Sequence, residues 1–219
     1  MRHFTFKHKL GFTMLELVMV IVVLGILAAL ALPRMERDHK QEAADHILSQ
    51  IRYTQHLALN DDKHMNNNQN WQQRYWKIMF ASCSNGNQFY RIGSDDNMDG
   101  NGVFAQGEAA IDPINGKPLF MSNNDNTCEN DTTVSNNIFL TTKYGVTAID
   151  TTNCNNLAHI GFDHLGRPHQ SFGASNAPDY ASYMSQACTW TFTMSNADTF
   201  SISIQPETGY AQIVGQNDS

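Results

Sequence analysis

Glu16 is the only carboxylate in a hydrocarbon run that extends from Phe12 to Leu32. A charge in such a run costs roughly 2.5–3.5 kcal/mol at the centre of a membrane span, so it is functional by default and needs a cationic partner. Farther along, Asp95-Asp96-Asn97-Met98-Asp99-Gly100 reads D-x-N-x-D-G. This is the front half of a calcium loop, in which a hard cation gathers several oxygens from one sharp turn. Asp95, Asn97 and Asp99 are the expected side-chain ligands, with the Asn101 carbonyl as a fourth. The back half departs from that pattern, because the twelfth position is Gln106 and Glu108 lies two residues late. A loop of another kind would recruit Glu108 or Asp112. The competing reading is a solvated turn, for which Asn, Asp and Gly are ordinary residues. No cofactor is required, and Ca2+ in the head is an optional ligand.

Other constellations carry less. His159, His164 and His169 recur every five residues, a spacing that fits neither one helix face nor one strand face, and Asp163 and Gly166 mark a turn between them. They read as surface or turn histidines. No G-x-S-x-G nucleophile motif and no phosphate-cradling glycine loop occurs, so the chain is not read as an enzyme. Residues 61–219 hold seven Lys or Arg against sixteen acids. Phosphate neutralisation therefore disfavours nucleic acid for the head as a whole. Only a local patch of Arg74, Lys77 and Arg91, with Tyr75 and Trp76 for stacking, would support DNA contact.

These residues need elements to hold them. Residues 12 to about 59 read as one helix, apolar all round at first and half-wet later. At about 1.5 Å per residue the run from Phe12 to Leu32 covers roughly 30 Å, enough for a bilayer. Pro33 lacks an N–H and predicts a kink or local unwinding. Beyond it Ala44, Ile47, Leu48, Ile51 and Ala58 recur at helical spacing, opposite Arg37, Asp38, Lys40, Gln41, Glu42 and Asp45. That stripe predicts a spine against which a sheet packs.

From Asp61 the chain turns rich in Asn, Asp, Gly and Thr. Trp76, Ile78 and Phe80 alternate with polar or flexible neighbours, and Phe89–Ile92 is the expected hairpin partner. Ile138–Thr141, Ala158–Phe162, Thr189–Met194, Phe200–Ile204 and Gln212–Val214 are further expected strands. Residues 121–137 and 171–187 read as long loops. The fold class is α+β, a long N-terminal helix packed on a β-rich head, divided as 1–11, 12–33, 34–60 and 61–219.

Net charge is −7. The first eleven residues carry Arg2, Lys7 and Lys9 and no acid, so by the positive-inside tendency they stay cytoplasmic and the head lies outside. Cys83, Cys128, Cys154 and Cys188 all fall in the head. In an oxidising compartment they allow two disulfides in three connectivities. Sequential pairing, Cys83 with Cys128 and Cys154 with Cys188, closes the shorter loops and is preferred. Zinc is the alternative, but no two cysteines have CxxC spacing.

The run GFTMLELVMVIVVLGILAALALPR resembles the N-terminal signature of type IV pilins and of type II secretion and DNA-uptake pseudopilins. The resemblance implies cleavage after Gly11 by a prepilin peptidase and N-methylation of Phe12. It also implies pairing of Glu16 with the N-terminal amine of a neighbouring subunit, with Pro33 in the assembly helix. Trp76-Lys77-Ile78, Tyr90 to Gly100, Glu108 and Ile160 to Pro168 resemble minor pseudopilins of the GspH/FimT type. The expected partners are other pilin or pseudopilin subunits, the peptidase and an inner-membrane assembly platform. The expected location is the inner membrane, with a periplasmic head, in a secretion pseudopilus or pilus-like filament. A competence pilin with a DNA-contacting head is the alternative.

Overall fold

The computed structural model describes residues 13–65, 67–99, 102–122, 124, 128, 131–173 and 177–216, and only the backbone over 29–38. The chain divides into two compact units, Met1–Asp38 and His39–Ser219. Helix α1, Met14–Asn60, runs through both sequence ranges. It is assigned without a break at Pro33, so the local unwinding expected there does not interrupt it. Proline removes one hydrogen bond, and the neighbouring turns retain theirs.

In the first unit every large apolar side chain of the helix from Met14 to Leu27 is exposed, from 88% at Met14 to 47% at Val20. Among the described residues no helix is long and apolar enough to cross a membrane. The described side chains run from Thr13 to Ala28, about 24 Å of helix at about 1.5 Å per residue, and the expected span continues to Leu32.

In the second unit the stripe read from the sequence is buried. Ala44, Ile47, Ile51 and Ala58 are at most 1% exposed, joined by Ala43, and Leu48 packs beside them. Each fully buried Ile contributes about 1.5–3 kcal/mol relative to exposure. The face also carries Gln50 and Thr54, and Thr54 Oγ1 satisfies itself by donating to the Gln50 carbonyl (2.8 Å).

Among the described residues the head holds two antiparallel four-stranded sheets. The first comprises β1 Trp76–Ser82, β2 Gln88–Gly93, β4 His159–Phe162 and β5 Pro168–His169, in the order β2-β1-β4-β5. The second comprises β3 Val146–Asp150, β6 Cys188–Met194, β7 Thr199–Ile204 and β8 Ala211–Ile213, in the order β3-β6-β7-β8. Side chains of both sheets and of the helix stripe form one hydrophobic cluster, with Phe80 edge-on to Trp190 (4.9 Å) and Phe192 stacked on Phe200 (5.0 Å).

The β1–β2 hairpin, β4, β6, β7 and β8 fall where alternation placed them. Ile138–Thr141 does not form a strand. It is a 3-10 turn, Asn136–Ile138, leading into the short helix α2, Leu140–Tyr144. Ser135 accepts from Asn137 N at its start, and Gly145, at φ +76°, closes α2 in the left-handed conformation that glycine adopts without a Cβ penalty. Two strands went unread. β3 shows little alternation and lies at a sheet edge, and β5 is two residues long and opens with proline, which an edge tolerates.

The structure pairs the cysteines sequentially, Cys83–Cys128 and Cys154–Cys188, as expected. Chain entropy alone assigns each about 4 kcal/mol, for separations of 45 and 34 residues. One polar cluster organises the region before α2. Asp112, 1% exposed, accepts from Ser135 Oγ (2.5 Å) and Asn137 Nδ2 (2.7 Å), and Lys143 Nζ bonds Asn137 Oδ1. Beside it His46 Nε2 lies 3.0 Å from Tyr90 Oη and 3.1 Å from the Asn137 carbonyl, with its ring stacked on Tyr144 at 4.6 Å.

Candidate functional site

Gly11 and Phe12 lie outside the described residues, as does the side chain of Pro33. Glu16 is described, and its setting adds a role that the sequence reading missed. Thr13 Oγ1 accepts from Glu16 N (3.2 Å), and Glu16 Oε2 lies 3.5 Å from Thr13 N, a capping box at the start of α1. The signal was present as T-x-x-E in Thr13 to Glu16. The capping box turns the carboxylate back toward the helix N-terminus, where an acid also meets the positive end of the helix dipole.

The acidic loop is built around a lysine. Lys77 is 1% exposed in the middle of the first sheet, paired in register with Gly93 of β2 on one side and Gly161 of β4 on the other. Aromatic rings cover both glycines. A Cβ on Gly93 would meet Phe104 at 2.4 Å, and one on Gly161 would meet Phe172 at 2.1 Å. The Lys77 ammonium lies 5.7 Å from the Phe172 ring centroid and donates to the carbonyls of Gln73 and Gly102, both at 3.3 Å. Burial pushes it down to about 8, with the charge of Asp95 opposing. Burial pushes the Asp95 carboxyl up, with Lys77 opposing.

The expected calcium ligands are arranged differently from a ligand set. Asp95, 0% exposed, accepts from Met98 N with one oxygen (3.0 Å), while its other oxygen has no hydrogen-bond partner among the described residues. Asn97 Oδ1 accepts from Asp99 N (3.0 Å). Glu108 clamps the loop with both oxygens, from Asn97 N (2.9 Å) and Ala105 N (2.7 Å). Asn101 lies outside the described residues. Among the described residues no group of three or more His, Cys, Asp or Glu could hold a metal ion. The charge of opposite sign that acts on Asp95 is the ammonium of Lys77.

The patch of Arg74, Trp76, Lys77 and Arg91 does not form a basic surface. Lys77 and Arg91 are buried at 1% and 5% exposure, and Arg91 lies over the Phe104 ring (5.9 Å). Arg74 Nε and Lys63 Nζ both bind Asp96 Oδ1, at 3.0 and 3.2 Å, and Trp76 Nε1 donates to Asp61 Oδ2 (2.9 Å). The sheet buries two of these cations, and the third pairs with Asp96, a carboxylate it shares with Lys63.

The three histidines go to separate places. His164 is exposed and 3.4 Å from Asp62, and His159 is half-buried with its ring against Phe172. His169 is not a surface residue. At 5% exposure it lies 2.9 Å from Ser182 Oγ through Nδ1 and 3.4 Å from Asp163 Oδ2 through Nε2. Burial alone would raise the Asp163 carboxyl, but hydrogen bonds from His169 and Arg167 outweigh it and hold it well below the usual carboxylate range. Ser, His and Asp are the residue types of a hydrolytic triad. Here Ser182 is 5% exposed and its hydroxyl donates to the Asp179 carbonyl (2.6 Å), so it braces a turn.

No curated protein and no solved structure matches the chain. Residues 6–32 match the family model described as the prokaryotic N-terminal methylation motif. That match covers the stretch that holds the Gly11–Phe12 junction, the Thr13–Glu16 capping box and the exposed apolar side chains from Met14 to Leu27. The chain therefore carries the N-terminal signal of type IV pilins and pseudopilins at residues 6–32.

Proposed function

We propose that this protein is a minor pilin or pseudopilin subunit. It is cut after Gly11, methylated on Phe12, held in the inner membrane by residues 12–33 and assembled into a filament with its head outside the cytoplasm. The observation that carries the proposal is Glu16, the one acid in the stretch of α1 from Met14 to Leu27 whose large apolar side chains are all exposed, inside the methylation motif. Lipid covers those side chains before assembly and neighbouring subunits cover them afterwards. Glu16 then pairs with the amine of a neighbour, which offsets the cost of carrying a carboxylate into an apolar environment. The head's hairpin and acidic loop fit the GspH/FimT type within that superfamily, and the Lys77 ammonium serves that loop in place of calcium. The DNA-contacting alternative loses its support with the burial of Lys77 and Arg91.

The test is Glu16→Ala in cells that assemble the filament. Membrane fractionation should find the variant inserted and processed as before, while sheared filaments should lack it. Normal incorporation of the variant contradicts the role given to Glu16. Blocking processing with Gly11→Ala should leave a full-length chain in the membrane and none in filaments.

A further inference from the structure

Two cavities flank the segment Asp179–Tyr183 beside strand β5. One, about 510 Å³, is lined by amides and hydroxyls that include Asn155, Gln170, Ser171, Ser185 and Gln186. The other, about 290 Å³, is lined by Trp71, Tyr75, Tyr180 and Tyr183, with Arg167 and His169. Tyr183 lines both.

Neither cavity offers an unneutralised Lys or Arg among the described residues. No Lys or Arg is among the described residues lining the larger cavity, and Asp179 is its single carboxylate. In the smaller one Arg167 is already neutralised, with Nε and Nη2 each 2.7 Å from Asp163 Oδ2. Neither cavity is built for phosphate or for an acidic peptide. The side chains of Ser171, Ser185 and Gln186 make no hydrogen bond among the described residues and are exposed, while Tyr180 presents its ring to solvent at 82% exposure.

The wall between the cavities is braced. Gln72 accepts from Asp179 N (2.6 Å) and donates to the Asp179 carbonyl (3.0 Å). Gln170 N donates to the Ser182 carbonyl (2.7 Å), and Asn155 Nδ2 to Gln170 Oε1 (2.9 Å). The Cys154–Cys188 disulfide receives Gln170 Nε2 at 3.0 Å from Cys154 Sγ. A site held this firmly loses little conformational entropy on binding.

We infer that this paired cleft binds a neutral oligosaccharide. Sugar rings offer an apolar face that stacks on tyrosine and tryptophan, and hydroxyl edges that exchange hydrogen bonds with amides and serines. The exposed ring of Tyr180 and the half-buried ring of Tyr183, backed by the buried Trp71 and Tyr75, match the apolar face, and the amides and hydroxyls of the larger cavity match the hydroxyl edges. The inference does not depend on assembly, since the residues involved all lie in the unit His39–Ser219.

The experiment is a titration of the full chain, solubilised in a detergent without a sugar headgroup, followed by tyrosine and tryptophan fluorescence and by calorimetry. The probes are tri- and tetrasaccharides of α- and β-linked glucose, β-linked N-acetylglucosamine, galactose and mannose, with a single-stranded oligonucleotide as comparison. Saturable binding of at least one saccharide is expected. Tyr180→Ala and Gln186→Ala should each weaken it about tenfold, equivalent to about 1.4 kcal/mol. Both side chains are exposed, so the variants should keep the parent's unfolding midpoint. Absence of saturation with every saccharide overturns the inference. So does binding that neither substitution alters, or a preference for the oligonucleotide.

Discussion

Acidification should destabilise the head through His46. The ring sits between Tyr90, Tyr144 and the Asn137 carbonyl, and burial lowers its pKa from 6.5 to about 4, with Lys143 adding to the effect. The Asn137 carbonyl and Asp112 pull the other way. Because the folded state binds the proton less readily than the unfolded state, stability is complete above pH 6.5 and falls as pH drops toward 4. Linkage between those two values gives a loss of about 1.8 kcal/mol from pH 7 to pH 5, or about 1–2 kcal/mol after allowance for partial exposure of the ring. Replacing His46 by Gln keeps an amide that can donate to the Asn137 carbonyl and accept from Tyr90, but it cannot titrate. Urea unfolding of residues 39–219, with disulfides intact, should therefore show the wild type losing about 1–2 kcal/mol more than His46→Gln between the two pH values. His159, also lowered by burial, is present in both proteins and cancels in the difference. Equal losses in the two proteins, or a wild type more stable at pH 5, would refute the reasoning.

Gly161→Ala should lower the unfolding midpoint by an amount worth about 1–3 kcal/mol, because its methyl would lie 2.1 Å from Phe172 Cζ. The double variant with Phe172→Leu should recover part of that, and an unchanged midpoint in the single variant would count against the packing described. Removing Cys154–Cys188 or Cys83–Cys128 by paired serine substitution should cost about 4 kcal/mol each, measured by the same urea assay. A loss below about 1 kcal/mol for either would contradict the loop-closure account. Calorimetry of the head with calcium at about 1 mM, well into the range of weak extracellular sites, should give no saturable heat, and saturable heat would show that the metal displaces Lys77.

Elements governed by short-range rules were legible. The stripe of Ala44, Ile47, Ile51 and Ala58 follows from helical periodicity, and β7, Phe200-Ser201-Ile202-Ser203-Ile204, follows from alternation. Ile138–Thr141 failed because four residues of mixed type satisfy both patterns, and the deciding residues, Ser135 and Gly145, lie outside the segment. Lys77 failed for another reason. Its neighbours in sequence, Trp76 and Ile78, say nothing of Gly93 and Gly161, which face it across two strand pairs.

The sequence by itself determined how the chain is processed and what its first helix offers. The methylation motif at residues 6–32 and the Thr13–Glu16 cap are made of contiguous residues, and an apolar helix needs no distant partner to be recognised. The tertiary structure alone decided the chemistry of the head. It buried two of three candidate cations, joined Asp163 to His169 and Arg167, and set Trp71, Tyr75, Tyr180 and Tyr183 around one cleft from positions more than a hundred residues apart. The physical reason is that strand pairing and side-chain burial join residues by register and by packing, and neither is a function of distance along the chain.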